Sequence, residues 1–337
     1  MTSQTILVLG GGNALGAYLA GAYEELDARR IRPDWLIGAS VGALTGAILA
    51  GNPPERRLER LRAFWSEAAT GMGVPAFGDA HMRQLAKGAH AAWAAFFGRP
   101  TIFGHRWPGL WSALPGTPND IAIYDHRPLL ATLARLVDFE RLNGGETRLS
   151  VGTVDIETGR EVVFDTARER IGPEHLLASA AITPAFPPVE IDGRMLCDPG
   201  YVNNTPIDVA LTEPPERDTL CIAVELFGLR NPRPASLDAV LERTQDIMFA
   251  SPTRRSIAAL QREYALRTRL EPEAARVTLA HLAYQSPPDE LAAKTLDFSP
   301  DSLRQRWSAG RQDLATVLDR ARASAPGPGL TYVATHA

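Results

Sequence analysis

Residues 38–42, Gly-Ala-Ser-Val-Gly, have the spacing at which a serine can act as a nucleophile. The Gly-x-Ser-x-Gly motif places its serine on a sharp turn between a strand and a helix, which lifts the Ser40 hydroxyl clear of the backbone. A side chain at Gly38 or Gly42 would crowd that turn. The turn also aims the N-terminus of the following helix at the position where an oxyanion would form. The motif therefore predicts a hydrolytic enzyme with Ser40 as its nucleophile.

A serine nucleophile needs a base within hydrogen-bond reach, and two residue types can supply one. None of the seven histidines lies in a strong strand-end context, and His175 is at a helix start, where a capping role is simpler. Asp198 follows a short apolar run, as a catalytic carboxylate at a strand end would, and a carboxylate alone can take the proton in a dry site. The alternative role of Asp198 is to initiate the turn at Pro199-Gly200. Asp198 is the preferred candidate, and a histidine base remains the alternative.

The glycine-rich segment Gly10-Gly11-Gly12-Asn13 can serve either of two functions. Its backbone N–H groups, joined by that of Val41, can bind a tetrahedral oxyanion. Alternatively, the glycines between residues 10 and 16 could bind a nucleotide phosphate, with Asp34 on the ribose. The glycine spacing differs from Gly-x-Gly-x-x-Gly, and a dinucleotide fold has no use for a strained serine after its second strand. The oxyanion function is therefore favoured.

The elements around these motifs alternate between strands and helices. Ile6–Leu9 and Trp35–Ala39 are apolar runs typical of buried strands, and helical patterns follow at Ala17–Arg29 and Val41–Ala50. This alternation predicts an α/β fold with a mostly parallel sheet covered by helices on both faces. Further strands are predicted at 148–154, 161–164, 189–196 (a hairpin with Asp-Gly at its tip) and 220–226, the last of them.

Two regions lie outside this alternation. Residues 71–119 are rich in glycine, proline, alanine and aromatic residues, and they are predicted to form an insertion over the sheet. The insertion would act as a lid or acyl-chain pocket, or else form the core of a small subdomain. Residues 236–322 are helical and charged, and their helices could pack a dimer or cover the sheet. We therefore expect a main domain over residues 5–230 with a helical C-terminal extension packed on it.

The composition is that of an ordinary globular protein. The chain has 337 residues, of which 45% are hydrophobic and 22% charged, and its formal net charge is −4. This charge provides no basic field to attract nucleic acid. Cys197 and Cys221 are too few for a disulfide framework and favour a reducing compartment. The N-terminus lacks a signal-peptide pattern, and no apolar window approaches the length of a membrane span. We therefore expect a cytoplasmic protein.

Taken together, the motifs resemble those of the patatin-like phospholipase family over roughly residues 5–230. Residues 9–18 are similar to its oxyanion loop, and residues 38–42 match its Gly-x-Ser-x-Gly. Asp198-Pro199-Gly200 falls where the family carries Asp-Gly-Gly or Asp-Gly-Ala, and the segments 178–188 and 203–206 around it are also similar. The helical C-terminal region resembles the extension of a bacterial subgroup. Three motifs in the right order are far more specific than any one of them.

The resemblance implies a three-layer α/β/α fold and a Ser-Asp dyad in place of a triad. Ser40 would attack an ester carbonyl, and Asp198 would accept its proton and later activate water. The N–H groups of Gly11, Gly12 and Asn13 would bind the oxyanion. The implied activity is the hydrolysis of acyl esters, such as phospholipids or other hydrophobic esters, without a metal or cofactor. The substrate class also implies transient contact with a membrane surface.

Three positions depart from the family pattern. Asn13 replaces a glycine, but asparagine tolerates a positive φ better than most residues. Leu15 replaces an arginine or lysine, which removes a charge near the loop. Pro199 replaces a glycine; it fixes φ near about −65° and has no N–H, so Asp198 would be held differently if the turn needs a positive φ. The alternative function is therefore a lipid-binding or scaffolding protein of the same fold, whose catalysis is weakened by Pro199.

Overall fold

A mixed β-sheet runs through the centre of the protein, with helices on both of its faces. The computed structural model describes residues 3–69, 80–324 and 327–335, and within them the central sheet has nine strands. The strands are β1 (Gln4–Leu9), β2 (Trp35–Gly38), β3 (Gly104–His105), β4 (Tyr124–Asp125), β5 (Arg148–Asp155), β6 (Glu161–Asp165), β7 (Val189–Ile191), β8 (Arg194–Cys197), β9 (Thr219–Glu225), β10 (Val277–Ala283) and β11 (Leu330–Ala334). The α-helices are α1 (Ala17–Ala28), α2 (Val41–Ala50), α3 (Pro54–Ala68), α4 (Ala80–Phe97), α5 (Pro128–Leu136), α6 (Phe139–Leu142), α7 (Pro173–Ser179), α8 (Gly200–Asn203), α9 (Ile207–Leu211), α10 (Leu237–Leu270) and α11 (Pro300–Ala323).

The strand order is β11-β10-β9-β1-β2-β5-β8-β7, with β6 also paired to β5. The six strands from β11 to β5 are parallel to one another, whereas β6, β7 and β8 pair in the antiparallel sense. The strands β3 and β4 form a separate two-stranded sheet. The predicted mostly parallel sheet and the predicted hairpin over residues 189–196 are confirmed.

Side chains of β1 alternate between two cores, one on each face of the sheet. Ile6 and Val8 lie with buried residues of α9 and α10, while Leu7 and Leu9 lie with buried residues of α1, α2 and α11. Because both faces are buried, the strand is apolar at every one of these positions. The helices α10 and α11 therefore cover the sheet, and a dimer formed through them stays a prediction.

Two glycines bring α11 close to α1, the helix that follows the glycine loop. A Cβ added to Gly21 would lie 1.8 Å from the backbone oxygen of Trp307, and one added to Gly310 would lie 2.0 Å from that of Tyr18. A side chain at either position would push the helices apart. This contact fixes α11 beneath the segment that carries the candidate oxyanion donors.

The C-terminal region is mainly helical, as predicted, but the sheet continues into it. The strand β10 lies between β9 and β11, so the prediction that residues 220–226 form the last strand is wrong. The run Val277–Ala283 is short and apolar, and such a run does not distinguish a buried strand from a buried helix. The domain boundary near residue 230 stays a prediction.

The predicted insertion contains a helix, α4, that the sequence analysis did not identify. Residues 71–79 of the insertion lie outside the described residues. Phe103 is buried and packs against Phe186 with 5.5 Å between ring centroids, whereas Trp107 and Trp111 are exposed. The aromatic side chains of this region are thus divided between the core and the surface.

None of the helices in the described part of the chain combines the length and the apolar character of a bilayer-spanning segment. Cys197 and Cys221 are both buried and do not form a disulfide. No group of three or more potential metal-ligating histidine, cysteine, aspartate and glutamate side chains occurs among the described residues.

Candidate active site

Ser40 lies on a strained turn between β2 and α2, as the motif predicts. Its backbone has φ 55° and ψ −128°, a conformation that residues with a side chain rarely adopt. A Cβ added to Gly42 would lie 2.1 Å from the Leu9 carbonyl oxygen, and one added to Gly38 would lie 2.5 Å from the Ala43 nitrogen. Both positions therefore require glycine, because the backbone of β1 and of α2 comes too close for a side chain. This packing holds Ser40 at the carboxyl edge of the parallel sheet.

The backbone of Ser40 is held by a residue that the sequence analysis did not assign. The Ser40 N–H donates a hydrogen bond to Ser179 Oγ at 3.0 Å. Ser179 is fully buried at the end of α7. Because this bond spans 139 positions in the chain, no local pattern around either serine could have predicted it.

Asp198 follows β8 directly and is brought next to Ser40. Its backbone N–H donates to the Ala181 carbonyl at 3.1 Å, and its Oδ1 accepts from the Gly200 N–H at 2.8 Å. The Ser40 hydroxyl lies close enough to the carboxylate to lower its pKa. However, Oδ2 has no hydrogen bond of regular geometry to any described residue. The Ser40–Asp198 contact is therefore loose, as is common for catalytic hydrogen bonds before substrate binds.

The environment of Asp198 makes it a stronger base than an ordinary aspartate. The side chain is 5% exposed, and burial raises the pKa of Asp198 to about 7, against the opposing effects of the Ser40 hydroxyl and the Gly200 N–H. Burial acts in this direction because it disfavours the charged form. A carboxylate with this pKa can accept and return a proton near neutral pH.

Pro199 adopts a backbone conformation that proline favours. Its φ is −81°, and it caps the short helix α8, with its carbonyl accepting from Val202 and Asn203 at 2.8 Å each. The N–H that proline lacks is not needed, because the Asp198 carboxylate accepts from Gly200 instead. The turn therefore holds Asp198 with a negative φ at residue 199. Weakened catalysis would follow only if the turn needed a positive φ there, and it does not.

Gly11 contributes close packing, because its N–H is already engaged. That N–H donates to the Asn204 carbonyl at 3.1 Å, and the Asn204 side-chain amide donates back to the Gly11 carbonyl at 3.1 Å. The prediction that Gly11 donates to an oxyanion is therefore wrong in this structure. A Cβ at Gly11 would lie 2.6 Å from Asn204 Oδ1 and 2.9 Å from Ser40 Cβ, so glycine is required there for space.

Three of the predicted oxyanion donors do present unpaired backbone N–H groups. Within the described chain, no residue accepts a hydrogen bond from the N–H of Gly12, Asn13 or Val41. Asn13 has φ 50°, which asparagine tolerates as expected, and Val41 is the first residue of α2. The N-terminus of α2 thus faces the same region as the glycine loop, and its dipole favours negative charge there.

A buried arginine from α11 lies beneath the glycine loop. Leu15, which stands where the family often has an arginine or lysine, is buried. The Arg306 guanidinium donates to the Ala14 carbonyl at 3.3 Å and to the Asp297 carbonyl at 2.8 Å. Arg306 is also paired with Glu290 at 3.4 Å. The guanidinium of Arg306 thus supports the loop through a backbone carbonyl while two buried carboxylates, those of Glu290 and Asp297, balance its charge. This long-range contact could not be predicted from the sequence.

Two cavities meet at Ser40 and Asn13. The outer cavity has a volume of about 370 Å³ and is lined mainly by apolar side chains, among them Phe186, Phe227 and Met248. The inner cavity has a volume of about 50 Å³ and lies on the other side of Ser40, between α2 and α5. An ester bound at Ser40 can therefore place its acyl part in one cavity and its alcohol part in the other.

The alternative of a nucleotide site is not supported by the position of Asp34. Its carboxylate accepts from the Thr5 N–H at 2.8 Å, near the start of β1, whereas the glycine loop follows the end of β1. A ribose at Asp34 would therefore lie at the opposite edge of the sheet from the loop. The proposed pairing of these two features is wrong because β1 separates them.

Two of the histidines in the described part of the chain bear on the site. His175 Nδ1 accepts from the Gly172 N–H at 2.9 Å, which is the capping role expected for it. His126 lines the inner cavity together with Ser40. No motif surrounds His126, so its position in the cavity could not be predicted from the sequence.

A parallel α/β sheet that ends in a strained serine is typical of serine hydrolases with a nucleophile elbow. Within that class, the chain belongs to the patatin-like phospholipase family, since residues 7–211 match the family model described as patatin-like phospholipase. Residues 254–328 match a second model, described as patatin phospholipase. The family resemblance predicted from the motifs is confirmed.

Individual relatives match less closely. A patatin-like phospholipase domain-containing protein of Caenorhabditis elegans is 38% identical over 61 residues, which are 18% of this chain and 6% of that protein. The chain therefore matches only a small part of that relative. VipD of Legionella pneumophila has a TM-score of 0.45 and 15% identity, over 95% of this chain and 67% of that one. The type III effector ExoU of Pseudomonas aeruginosa has a TM-score of 0.36 and 13% identity, over 96% and 54%.

Proposed function

We propose that this protein hydrolyses carboxylic esters of lipids, with Ser40 as the nucleophile and Asp198 as the general base. The observation that carries this proposal is the buried Asp198 carboxylate beside Ser40, with a pKa of about 7. Membership of the patatin-like phospholipase family supports ester hydrolysis. The apolar walls of the outer cavity support a lipid-like substrate.

The reaction would proceed in two steps. Ser40 Oγ attacks the ester carbonyl carbon while Asp198 accepts the hydroxyl proton, and the N–H groups of Gly12, Asn13 and Val41 bind the resulting oxyanion. The tetrahedral intermediate then collapses to an acyl-enzyme, and the leaving alcohol takes the proton from Asp198. Water attacks the acyl-enzyme with Asp198 again as the base, which releases the acid and restores Ser40.

Hydrolysis of p-nitrophenyl esters of graded acyl length tests this activity. We expect kcat/KM to rise by about fourfold for each CH2 group that enters an apolar cavity, because burial of one CH2 is worth about 0.8 kcal/mol. The rise should end at the length that fills the receiving cavity. A protein that binds these esters but hydrolyses none of them would contradict the proposal and favour the lipid-binding or scaffolding function.

We further propose that the exposed apolar side chains near the outer cavity contact the lipid surface. Trp107 and Trp111 are 76% and 57% exposed, and they flank Gly109, where an added Cβ would lie 2.8 Å from the Ile123 carbonyl oxygen. The Ile123 N–H in turn donates to the carbonyl of Pro184, in the wall of the outer cavity, at 3.1 Å. Tryptophan favours the boundary between lipid and water. The segment would thus place the cavity against the lipid from which the substrate comes.

Replacement of both tryptophans by alanine tests this contact. We expect weaker cosedimentation with phosphatidylcholine vesicles and slower hydrolysis of vesicle lipid, by about tenfold or more, since burial of even one large apolar side chain is worth about 1.5–3 kcal/mol and about 1.4 kcal/mol is a factor of ten. Hydrolysis of a water-soluble p-nitrophenyl ester should change little, which makes it the control. Equal loss on both substrates would instead place the effect inside the active site.

The two cysteines support a proposed location in the cytoplasm. Burial raises the pKa of Cys197 to about 11 and that of Cys221 to about 12. Both thiols therefore stay protonated and unreactive near neutral pH. Free thiols in this state suit a reducing compartment.

A further inference from the structure

Beyond the catalytic edge, the inner cavity has mainly apolar walls, in which His126 and the indole N–H of Trp65 are the polar groups. Ser40, Asn13 and Val41 form its edge, and the side chains behind them include Leu44, Trp65, Ile102, Leu129 and Phe298. His126 interrupts this apolar lining. The cavity volume of about 50 Å³ exceeds the roughly 10–15 Å³ that one water molecule needs.

The imidazole ring of His126 is buried, and at least one of its two nitrogen atoms lacks a hydrogen-bond partner in the described part of the chain. The residue is 3% exposed, and neither ring nitrogen has a hydrogen bond of regular geometry to any described residue. The Leu177 backbone lies close enough to the ring to raise the pKa of His126, against the larger effect of burial. The ring stacks on Phe186 with 5.2 Å between centroids. The Leu177 backbone can serve one ring nitrogen only, and the other, buried without a partner among the described residues, costs free energy and needs an explanation.

The neighbouring charges do not provide that explanation. Asp125 is paired with Arg127 at 2.5 Å, and the Arg106 guanidinium is paired with Asp120 at 2.7 Å. Each of these charges is therefore paired with an opposite charge, and none of them forms an ion pair with His126. Because His126 lines the inner cavity, an atom bound there could be the missing hydrogen-bond partner.

We propose that the inner cavity binds the acyl group of the substrate and that His126 hydrogen-bonds to an oxygen atom on that group. This inference rests on the proposed ester hydrolysis by Ser40. Among esters of the same short acyl length, those that carry a hydroxyl would then be preferred. His126 would be a specificity-determining residue, because it meets the substrate but takes no part in bond breaking.

The chemistry of the ring fits a hydroxyl group. Burial lowers the pKa of His126 to about 4, so the imidazole is neutral at pH 7 and has one donor and one acceptor nitrogen. A hydroxyl can accept from the first or donate to the second. A site built to hydrogen-bond a hydroxyl rejects the analogue that lacks it far more strongly than an apolar pocket rejects a shorter chain.

Pairs of p-nitrophenyl esters that differ only in a hydroxyl or a methyl group test the inference. We would compare 2-hydroxybutyrate with 2-methylbutyrate and 3-hydroxybutyrate with 3-methylbutyrate, using both enantiomers. For at least one pair, the wild type should show a kcat/KM ratio in favour of the hydroxyl of about 10- to 100-fold. The His126→Phe variant should bring this ratio close to one, and His126→Gln, which keeps a donor and an acceptor, should retain part of it.

Leu129→Met is the matched control, because Leu129 lines the same cavity and offers no hydrogen bond. This variant should leave the hydroxyl-to-methyl ratio unchanged. The inference is overturned if the wild type hydrolyses both members of every pair equally well, or if the preference survives in His126→Phe. Failure to hydrolyse any ester would overturn the proposed function instead, so the two failures are distinguishable.

Discussion

Replacement of Ser40 by alanine is expected to lower kcat for ester hydrolysis by about 10⁴- to 10⁶-fold, as removal of the nucleophile does in other serine hydrolases. The loss is large because the remaining groups can only bind the oxyanion and position the ester, and no acyl-enzyme can form. The measurement is the hydrolysis of a p-nitrophenyl ester by the variant and the wild type at equal concentration.

Folding of the Ser40 variants provides the control. Ser40 has φ 55°, and relief of such a conformation by glycine is worth about 1–3 kcal/mol. Ser40→Gly should therefore unfold at a higher temperature than Ser40→Ala while both remain inactive. A Ser40→Ala protein that keeps a tenth of the wild-type activity would show that another group is the nucleophile.

Replacement of Asp198 by asparagine is expected to lower kcat by about 10²- to 10⁴-fold, the usual contribution of a general base. The amide can still accept from the Gly200 N–H, so the turn should be preserved. In the wild type, kcat/KM should rise with pH and level off above about pH 7, because the Asp198 carboxylate must be unprotonated and its pKa is about 7. The variant should lack this rise, and an unchanged pH profile would exclude Asp198 as the base.

The same variant has a consequence for stability. Asp198 has a higher pKa in the folded protein than the value of about 3.9 expected in the unfolded chain. The folded state therefore binds its proton more tightly, and ionisation of Asp198 costs stability as the pH rises from about 4 to about 7. Asp198→Asn should be more thermostable than the wild type above pH 7, and this difference should disappear below about pH 4.

Local patterns in the sequence predict much of the fold and the two central side chains. The turn at Ser40 depends on glycines within two positions of it, and Asp198 comes directly after its strand, so both signals are local. The parallel sheet follows from short apolar runs that alternate with helices. The strand β10 was missed because seven apolar-rich residues fit a strand or a helix equally well, and only pairing with β9 and β11 decides between them.

The remaining features of the site arise from contacts between distant segments. The Gly11 N–H donates to the carbonyl of Asn204, 193 positions away, and Arg306 reaches the Ala14 carbonyl across 292 positions. Ser179 reaches Ser40 from the end of α7, and His126 lines the adjoining cavity from the loop between β4 and α5. No pattern near these residues records such contacts, because they form only when the sheet and its helices are assembled.

The most direct test of the Ser40–Asp198 mechanism is covalent trapping of the nucleophile. The protein is treated with a fluorophosphonate, its intact mass is measured, and the modified peptide is sequenced by mass spectrometry. The mechanism predicts one phosphonyl group per chain, located on Ser40, with slower labelling of Asp198→Asn and none of Ser40→Ala. Labelling of a different residue, or no labelling of a wild-type protein that hydrolyses esters, would contradict it.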